Sequence, residues 1–279
     1  MIKPMLAHKL DESRIDWTKP VYMQPKLDGV RCLISKDGAY SRTGKEFMNV
    51  EHIKEGLKEF FETRPNIILD GELYNHDLKN DFEKIISLVR KQKPTDQHRE
   101  DAKKMMQYHV YDYIHDGGEG GLSYTNRLDN LTCSDIYNES IKYVKTNKVR
   151  FYDEAKAFHN LNLKNGYEGS ILRTDTPYKH GRSFGLMKFK DFSDTEATIV
   201  DYQEGKGKRA GTLGKFIMQD DDGNIFGCPP GKGYNYGDLK CMLENIHKYM
   251  GQRATFTYFQ RTNAGSYRHP LFKTLRNYE

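Results

Sequence analysis

The sequence predicts an α+β protein with two domains, a larger one that mixes strands and helices and a smaller one built mainly of strands. A length of 279 residues suits about two domains. Apolar and polar residues alternate over residues 21–50, as in paired strands, and apolar residues at helical spacing over residues 51–64 indicate an amphipathic helix. After Lys190 the chain changes to short strands separated by glycine-rich segments. We therefore place the boundary between residues 191 and 192.

In the larger part, apolar runs and turn residues define the expected elements in order. Residues 21–23 and 30–34 are expected to pair across a turn at residues 26–29, and Asp37-Gly38 favours a second hairpin turn. The strand expected at residues 67–69 ends in Asp70-Gly71-Glu72. Further strands are expected at residues 108–114, 170–173 and 185–190, helices at 51–64 and 81–91, and a mixture over 127–158. The polar residues up to Lys104 are assigned no element.

The smaller part predicts a barrel. Strands are expected at residues 198–202, 214–219, 225–228 and 254–260, and a helix at 237–249. Several short strands with one helix in so short a stretch are typical of small barrels, of which the five-stranded nucleic-acid-binding barrel is one. Residues 204–211 are rich in glycine and lysine, which suits contacts to phosphates but lacks the GxxxxGK[ST] pattern of a phosphate-binding loop.

Composition argues against a membrane span and against a disulfide framework. No apolar run approaches the roughly 20 residues that span a bilayer, and residues 1–5 have no apolar core of a secretory signal, so we expect an intracellular protein. The four cysteines are scattered without a CxxC pair, so neither a zinc site nor a set of disulfides is expected. A net charge of +5 gives weak support to a nucleic-acid partner.

Lys26, in the segment Gln24-Pro25-Lys26-Leu27-Asp28-Gly29-Val30-Arg31, is the candidate nucleophile. A lysine amine attacks only in its neutral form, so a nucleophilic lysine needs partial desolvation, nearby cationic groups or a bound metal. Gly29 would let the turn approach a nucleotide closely, and Arg31 could hold a phosphate. A surface hairpin with solvated charges explains residues 26–29 equally well.

Other groups in the larger part could complete a site around Lys26. Residues 70–72 and 168–169 each place a carboxylate beside glycine at the end or start of an expected strand, and two carboxylates facing a triphosphate suit Mg²⁺. Lys188 and Lys190 lie two apart on an expected strand and so project from one face. Tyr111 could stack on a base. Taken singly, the carboxylates fit turns, the lysines fit a solvated face, and Tyr111 fits a core position.

Taken together and in order, these segments resemble the motif series of ATP-dependent DNA ligases. The matching segments are residues 3–7, 26–31, 41–44, 70–73, 110–112, 168–169 and 186–190, and in the smaller part residues 205–209 and 265–270. The resemblance covers nearly the whole chain. It implies a nucleotidyltransferase (adenylation) domain of antiparallel sheets flanked by helices over residues 1–191, followed by a small five-stranded OB-fold β-barrel over residues 192–279.

The resemblance also implies the chemistry. Lys26 would take AMP from ATP and release pyrophosphate, the AMP would pass to a DNA 5′-phosphate, and a 3′-hydroxyl would displace it to close the nick. ATP and Mg²⁺ or Mn²⁺ are the expected cofactors, with Glu168 and Glu72 as metal ligands. Nicked duplex DNA is the expected partner of a monomeric enzyme that serves DNA repair, replication or recombination.

Individual roles follow from the same resemblance. Gln24 matches the position that reads the adenine edge, and Tyr111 matches the aromatic that stacks on adenine. Arg31 and Arg42 match phosphate or ribose contacts, Glu72 matches a ribose contact, and Glu168 matches a metal-coordinating carboxylate. The remaining positions of the expected cofactor-binding set are Lys188, Lys190, Arg268 and Lys273. Lys188 and Lys190 match the lysines that hold the AMP phosphate. Arg268 and Lys273 lie where the last family motif meets pyrophosphate.

Three alternatives stay open. RNA ligases and mRNA-capping guanylyltransferases share covalent lysine chemistry, but a capping enzyme would bind GTP and would not be expected to match Gln24. An RNA ligase would usually lack the barrel that ends in Arg268-His269-Pro270. A non-catalytic nucleic-acid-binding module would bind DNA with an unreactive Lys26. The two-domain form without an added DNA-binding region favours a viral, phage or accessory bacterial enzyme, acting in the cytoplasm or in a host cell.

Overall fold

The computed structural model describes residues 3–115, 121–189, 193–231, 233–259, 261 and 265–276. The chain divides into two compact units, Met1–Lys190 and Asp191–Glu279. Residues 191 and 192, where the sequence places the domain boundary, lie outside the described residues. In the described part of the chain, no helix is long and apolar enough to cross a membrane.

Two five-stranded sheets form the frame of the first unit. The first sheet has the order β1-β10-β9-β2-β8 and contains β1 (Met5–Lys9), β2 (Val21–Pro25), β8 (Asn147–Val149), β9 (Ser170–Thr174) and β10 (Gly181–Phe189). The second sheet has the order β4-β3-β5-β6-β7 and contains β3 (Val30–Ser35), β4 (Gly38–Ser41), β5 (Ile67–Tyr74), β6 (Gln107–His115) and β7 (Ile141–Tyr143). Among these strands, only the pairs β1–β10 and β6–β7 are parallel. The prediction of antiparallel sheets is therefore confirmed apart from one strand pair in each sheet.

Six helices flank these sheets in the described part of the first unit. They are α1 (Glu51–Gly56), α2 (Lys58–Thr63), α3 (Phe82–Val89), α4 (Asp96–Met105), α5 (Tyr124–Thr132) and α6 (Tyr152–Lys164). The helix predicted for residues 51–64 is broken at Leu57, although its apolar residues are buried. Helix α4 was not predicted. It begins at a capping box formed by Thr95 and His98 and buries only Ala102, so apolar periodicity could not reveal it.

The segment around Lys26 is not a hairpin turn. Strand β2 pairs with β8 and β9 in the first sheet, whereas β3 pairs with β4 and β5 in the second. The predicted pairing across residues 26–29 is therefore wrong, because this segment crosses from one sheet to the other. Alternation shows that a strand has two unlike faces, but it does not identify the partner strand. The surface-hairpin explanation of Lys26 is excluded by the same observation. The hairpin predicted at Asp37-Gly38 is confirmed.

Strand β5 continues through the carboxylates that were expected to end it. Residues Ile67–Tyr74 form one strand, with an irregularity in its pairing to β6 between Asp70 and Gly71. Gly71 is required there, because a β-carbon would lie 2.6 Å from the His109 carbonyl oxygen. Such irregularities re-aim the side chains that follow them. Glu72 therefore projects from the middle of a strand, not from a loop.

The two sheets pack against each other through apolar side chains. Met5 and Leu186 from the first sheet cluster with Leu33, Ile68 and Ile114 from the second. A larger core lies on the other face of the second sheet and includes buried residues of α1, α2 and α3. The two sheets are thus held together by a shared apolar interface.

Where it is described, the second unit forms a five-stranded sheet with one α-helix. Its strands are β11 (Ser193–Glu204), β12 (Leu213–Gln219), β13 (Ile225–Cys228), β14 (Arg253–Tyr258) and β15 (Leu271–Leu275), in the order β13-β12-β11-β14-β15, and its helix is α7 (Tyr236–Glu244). Strand β15 was not predicted. Among the described residues, the two ends of the sheet meet only at a bridge between Pro230 and Phe272. The predicted five-stranded barrel is therefore present in a partly closed form.

Candidate active site

A cleft of about 610 Å³ opens in the first unit, and Lys26 lies in its wall. Seven of the predicted site residues line it, namely Gln24, Lys26, Arg31, Arg42, Glu72, Tyr111 and Lys188. Clefts of about 300–1,000 Å³ are typical of sites for small molecules and cofactors. The fold thus gathers residues from distant parts of the sequence around a space that suits a nucleotide.

Lys26 is held beside Glu168 by an extension of the β2–β9 pairing. The Lys26 N–H donates to the Gly169 carbonyl oxygen at 2.9 Å, and the Glu168 N–H donates to the Lys26 carbonyl oxygen at 3.1 Å. Beyond this backbone pairing, the Lys26 ammonium forms an ion pair with the Glu168 carboxylate, whose side chain is only 8% exposed. The predicted nucleophile and a predicted metal ligand are therefore direct neighbours.

Glu72 and Tyr111 stand side by side on the neighbouring strands β5 and β6. The Tyr111 hydroxyl donates to the Glu72 carboxylate at 3.3 Å. Burial raises the pKa of Glu72 to about 7, although Lys26 and Arg31 act in the opposite direction. Tyr111 is half-buried and lines the cleft while it also packs against the larger core. Tyr111 is therefore in part a core residue, while its stacking on a base stays a prediction.

Replacing Glu72 with glutamine is expected to change how stability depends on pH. Since the folded-state pKa of Glu72 is raised to about 7 from an ordinary 4.5, the folded protein keeps this proton where the unfolded chain releases it. The resulting stabilisation is complete below the unfolded-state pKa and is lost as pH rises through 7. From about pH 5 to pH 8, the free energy of unfolding, measured with urea, should fall by about 2 to 3 kcal/mol more in wild type than in Glu72→Gln. An equal fall in the free energy of unfolding for the two proteins would show that Glu72 has an ordinary pKa.

Gly29 is required by the protein itself. A β-carbon at Gly29 would lie 2.4 Å from the Leu73 carbonyl oxygen and 2.8 Å from Cγ of Glu72. No real β-carbon tolerates such contacts with backbone, so only glycine lets this segment lie against β5. Packing against β5 thus requires glycine at position 29, while the approach of a nucleotide to Gly29 stays a prediction. Gly29 also lets the chain bring Lys26 close to Glu72.

Arg31 lines the cleft, but its guanidinium is engaged with the protein. It donates to Asp70 through Nε at 2.9 Å and Nη2 at 2.5 Å, and to the Met5 carbonyl oxygen through Nη1 at 2.6 Å. Asp70 is fully buried and also accepts a hydrogen bond from the Tyr178 hydroxyl at 2.7 Å. This arrangement gives Arg31 a structural function, while its contact with phosphate or ribose stays a prediction.

Arg173 is the main cleft residue that the sequence analysis missed. Its Nε donates to Oε1 of Gln24 at 2.8 Å, and its Nη1 donates to Asp112 at 2.6 Å. Asp112 also accepts from Nε of Arg127 at 2.7 Å. Burial alone would raise the pKa of Asp112, but Arg173 and Arg127 hold it below the ordinary value. An arginine in the short strand Ser-Ile-Leu-Arg was the available signal, since a buried charge needs a buried partner.

The remaining predicted residues are distributed around and beyond the cleft. Arg42 follows β4 and is exposed at the cleft, and Lys188 lies on β10 opposite Ile171. Lys190 lies outside the described residues. Arg268 and Lys273 belong to the second unit, where Lys273 pairs with Asp194 at 2.6 Å and Arg268 lies over the ring of Phe259. Roles for these residues toward ATP stay predictions. Two further arginines that were not predicted also line the cleft, Arg90 and Arg182.

The two predicted metal ligands suit a cation that binds substrate at the same time. In the described part of the chain, no group of three or more His, Cys, Asp or Glu side chains could hold a metal ion by itself. Mg²⁺ is usually held by one or two carboxylates together with waters and substrate phosphates. Glu168 and Glu72 both interact electrostatically with Lys26, so the two predicted metal ligands lie beside the predicted nucleophile.

Both units of the chain match models of known protein families. A family model described as the ATP dependent DNA ligase domain matches residues 4–190, and one described as a DNA ligase OB-like domain matches residues 204–276. A DNA ligase of African swine fever virus is 30% identical over 217 residues, covering 71% of this chain and 48% of the relative. The DNA ligase of phage T4 is 26% identical over 267 residues, covering 79% and 55%. The chain thus spans about half the length of these curated relatives.

Solved structures with the same architecture include small ligases. A Lig E DNA ligase superposes with a TM-score of 0.82 at 22% identity, covering 99% of this chain and 100% of the other. The ATP-dependent DNA ligase of phage T7, solved with ATP, superposes with a TM-score of 0.58 at 18% identity, covering 98% of each chain. At such identities the likeness concerns the fold, and it confirms the predicted fold class of a nucleotidyltransferase domain followed by an OB-type domain.

Proposed function

The chain belongs to the family of ATP-dependent DNA ligases, and from that premise we propose that it seals nicks in duplex DNA through a covalent Lys26–AMP intermediate. The observation that carries the proposal is the position of Lys26. It faces Glu168 in the wall of a nucleotide-sized cleft that also holds Gln24, Tyr111 and Lys188. The matched domain and the relatives named DNA ligase support the same activity.

The first step joins Lys26 to AMP. The lone pair of the neutral Nζ forms a bond to the α-phosphorus of ATP, the bond from that phosphorus to the bridging oxygen breaks, and pyrophosphate leaves with the electron pair while Nζ releases a proton to give the phosphoramidate. In the structure Nζ of Lys26 is paired with the Glu168 carboxylate, so it must leave this pair and be neutral when it attacks. Lys188 and Arg42 line the same cleft and would neutralise charge on the phosphates.

Bound Mg²⁺ or Mn²⁺, held by Glu168 and Glu72, would neutralise the triphosphate and compete with Lys26 for the Glu168 carboxylate. Tyr111 would stack on the adenine, and Gln24 would face its edge. These side chains act mainly by positioning, because phosphoryl-type transfers depend chiefly on alignment and charge neutralisation.

The later steps use the DNA substrate. An oxygen of the DNA 5′-phosphate attacks the AMP phosphorus and breaks its bond to Nζ, which regains a proton. The 3′-hydroxyl then attacks the 5′-phosphorus, and AMP leaves as the nick closes. In the second unit, the exposed segment containing Lys206, Lys208 and Arg209 would contact backbone phosphates without reading sequence. We place the protein inside a cell or host cell, as a monomer that serves repair, replication or recombination.

Nick sealing is the test that separates the proposal from its alternatives. Purified protein with ATP and Mg²⁺ is expected to close a nicked DNA duplex faster than the same nick with RNA at both the 3′-hydroxyl and 5′-phosphate sides. A preference for RNA strands would indicate an RNA ligase, and labelling by GTP in place of ATP would indicate a capping-type enzyme. DNA binding without nucleotide transfer would leave only a binding module.

A further inference from the structure

We propose that Arg173 and Thr146 lock the orientation of the Gln24 amide, and that this lock makes the cleft accept adenine and reject guanine. The inference rests on the proposed function, in which Gln24 faces the edge of the base of ATP. It assigns a specificity-determining role to two residues that have no part in the nucleotide chemistry itself. Gln24 is 2% exposed and lies in the wall of the cleft, so its partners decide what it can offer to a ligand.

The orientation of an amide side chain is fixed only when each partner can either donate or accept a hydrogen bond, but not both. A glutamine amide presents an acceptor at one end and two donors at the other, and a half-turn exchanges them. Arg173 can only donate, because a guanidinium has no acceptor. Its Nε lies 2.8 Å from one end of the Gln24 amide, so that end must be Oε1.

The other end of the amide is fixed independently. Gln24 Nε2 lies 2.9 Å from Oγ1 of Thr146 and 3.0 Å from the hydroxyl of Tyr124. The Thr146 hydroxyl donates its own hydrogen to the Val144 carbonyl oxygen at 2.9 Å, so toward Gln24 it can only accept. Both amide hydrogens therefore have acceptors in the protein. Both ends of the amide therefore require the same orientation. An amide turned by half a turn would lose the hydrogen bonds to Arg173 and to Thr146 together.

Arg173 is itself held in place. Asp112 is 1% exposed and accepts from Nη1 of Arg173 at 2.6 Å and from Nε of Arg127 at 2.7 Å. The Arg173 guanidinium also lies over the ring of Tyr124, 4.7 Å from its centre. A buried arginine with a charged partner and a packed ring has few alternative positions, so it provides a rigid donor for Gln24.

The locked amide offers a base only one kind of hydrogen bond. With both hydrogens used and one lone pair of Oε1 taken by Arg173, the remaining capacity of Gln24 is as an acceptor. Adenine carries an amino group, a donor, at the position where guanine carries a carbonyl oxygen, an acceptor. Adenine can therefore donate to Oε1, whereas guanine would place two acceptors against each other. Turning the amide to suit guanine would leave buried polar groups mispaired, which is costly.

The test compares ATP with GTP in the formation of the covalent adduct. For wild type, Arg173→Met and Thr146→Val, we would measure kcat/KM for labelling by each nucleotide. Arg173→Met removes the guanidinium, which can only donate, and is expected to lower the ratio of kcat/KM for ATP to kcat/KM for GTP about tenfold or more. Thr146→Val preserves shape, removes one acceptor, and is expected to lower the ratio about threefold. KM for GTP should fall in both variants. Tyr137→Phe, which removes a hydroxyl bonded to Leu131 away from the cleft, is the matched control and should leave the ratio unchanged.

A rescue variant separates the lock from general damage. In the Thr146→Val background, Gln24→Glu presents oxygen at both ends, so the side chain accepts whichever way it turns. We expect this double variant to recover the wild-type preference for ATP. A merely structural effect of Thr146 would not be repaired by a change at Gln24.

The outcomes distinguish this inference from the proposed function. A wild type that forms no adduct with either nucleotide would remove the proposed function and the inference with it. A wild type that forms the AMP adduct, with a ratio unchanged in Thr146→Val and in any Arg173→Met protein that melts near the wild-type temperature, would overturn the lock alone. If Arg173→Met does not fold, Thr146→Val and its rescue decide the question.

Discussion

Replacing Lys26 with alanine is expected to lower ATP-dependent nick sealing by at least about 10⁴-fold, because removal of a covalent nucleophile typically has effects of this size or larger. Lys26 supplies the atom that carries AMP, so the variant loses both the uptake of AMP and its transfer to DNA. The closing step is different, since there the 3′-hydroxyl attacks a 5′-end that already carries AMP. Lys26→Ala should therefore still seal a nick that is supplied in the adenylated form.

Single-turnover sealing of an ordinary nick and of an adenylated nick separates these steps. Lys148→Ala is a matched control, because Lys148 is exposed on β8 of the same sheet and does not line the cleft. It should behave as wild type on both substrates. ATP-dependent sealing by Lys26→Ala at a rate near that of wild type would exclude Lys26 as the nucleophile.

Replacing Asp112 with asparagine is expected to destabilise the first unit by about 3 to 5 kcal/mol. Removing one partner of a buried ion pair leaves an uncompensated charge, and here the two arginines Arg127 and Arg173 would lose their shared carboxylate. Asparagine preserves the shape of the side chain, so the loss reports charge and hydrogen bonding more than packing. Urea unfolding at neutral pH measures the change.

Asp135→Asn provides the control for this experiment, because Asp135 is exposed. It should change stability by less than about 0.5 kcal/mol. An equally small effect of Asp112→Asn would contradict the buried network on which the position of Arg173 depends. Because the pKa of Asp112 is held below its ordinary value, its contribution should also weaken as pH falls through the acid range.

The architecture could be anticipated where local patterns decide it. The hairpin at Asp37-Gly38 and strand β13 follow from turn residues and apolar alternation in consecutive positions. The same patterns failed at residues 26–29, where two adjacent strands enter different sheets. Strand pairing of that kind is decided by contacts between distant segments, such as β2 with β9 and β3 with β5. The sequence next to each strand contains no pattern that predicts these long-range contacts.

The candidate site shows a similar division. The sequence identified Lys26 and Glu168, because each belongs to a short motif that contains a glycine, and the structure pairs them. For Arg173, the sequence could suggest a buried charge in a short strand but not its partners Gln24 and Asp112, which are far from it in sequence. Arg31 is the opposite example. The motif assigns it to phosphate, but in the structure its Nε and Nη2 donate to buried Asp70. A motif identifies the residue, whereas the fold determines which of its hydrogen-bonding groups remain for a ligand.

Locating the residue that carries AMP tests most directly whether Lys26 is the nucleophile. The protein would be incubated with ATP and Mg²⁺, digested, and examined by mass spectrometry for a peptide that carries AMP. We expect one AMP per chain, on the peptide that contains Lys26, and its disappearance when nicked DNA is added. AMP on a different residue, or nick sealing with ATP by a protein that never carries AMP, would contradict the assignment of Lys26 as the nucleophile.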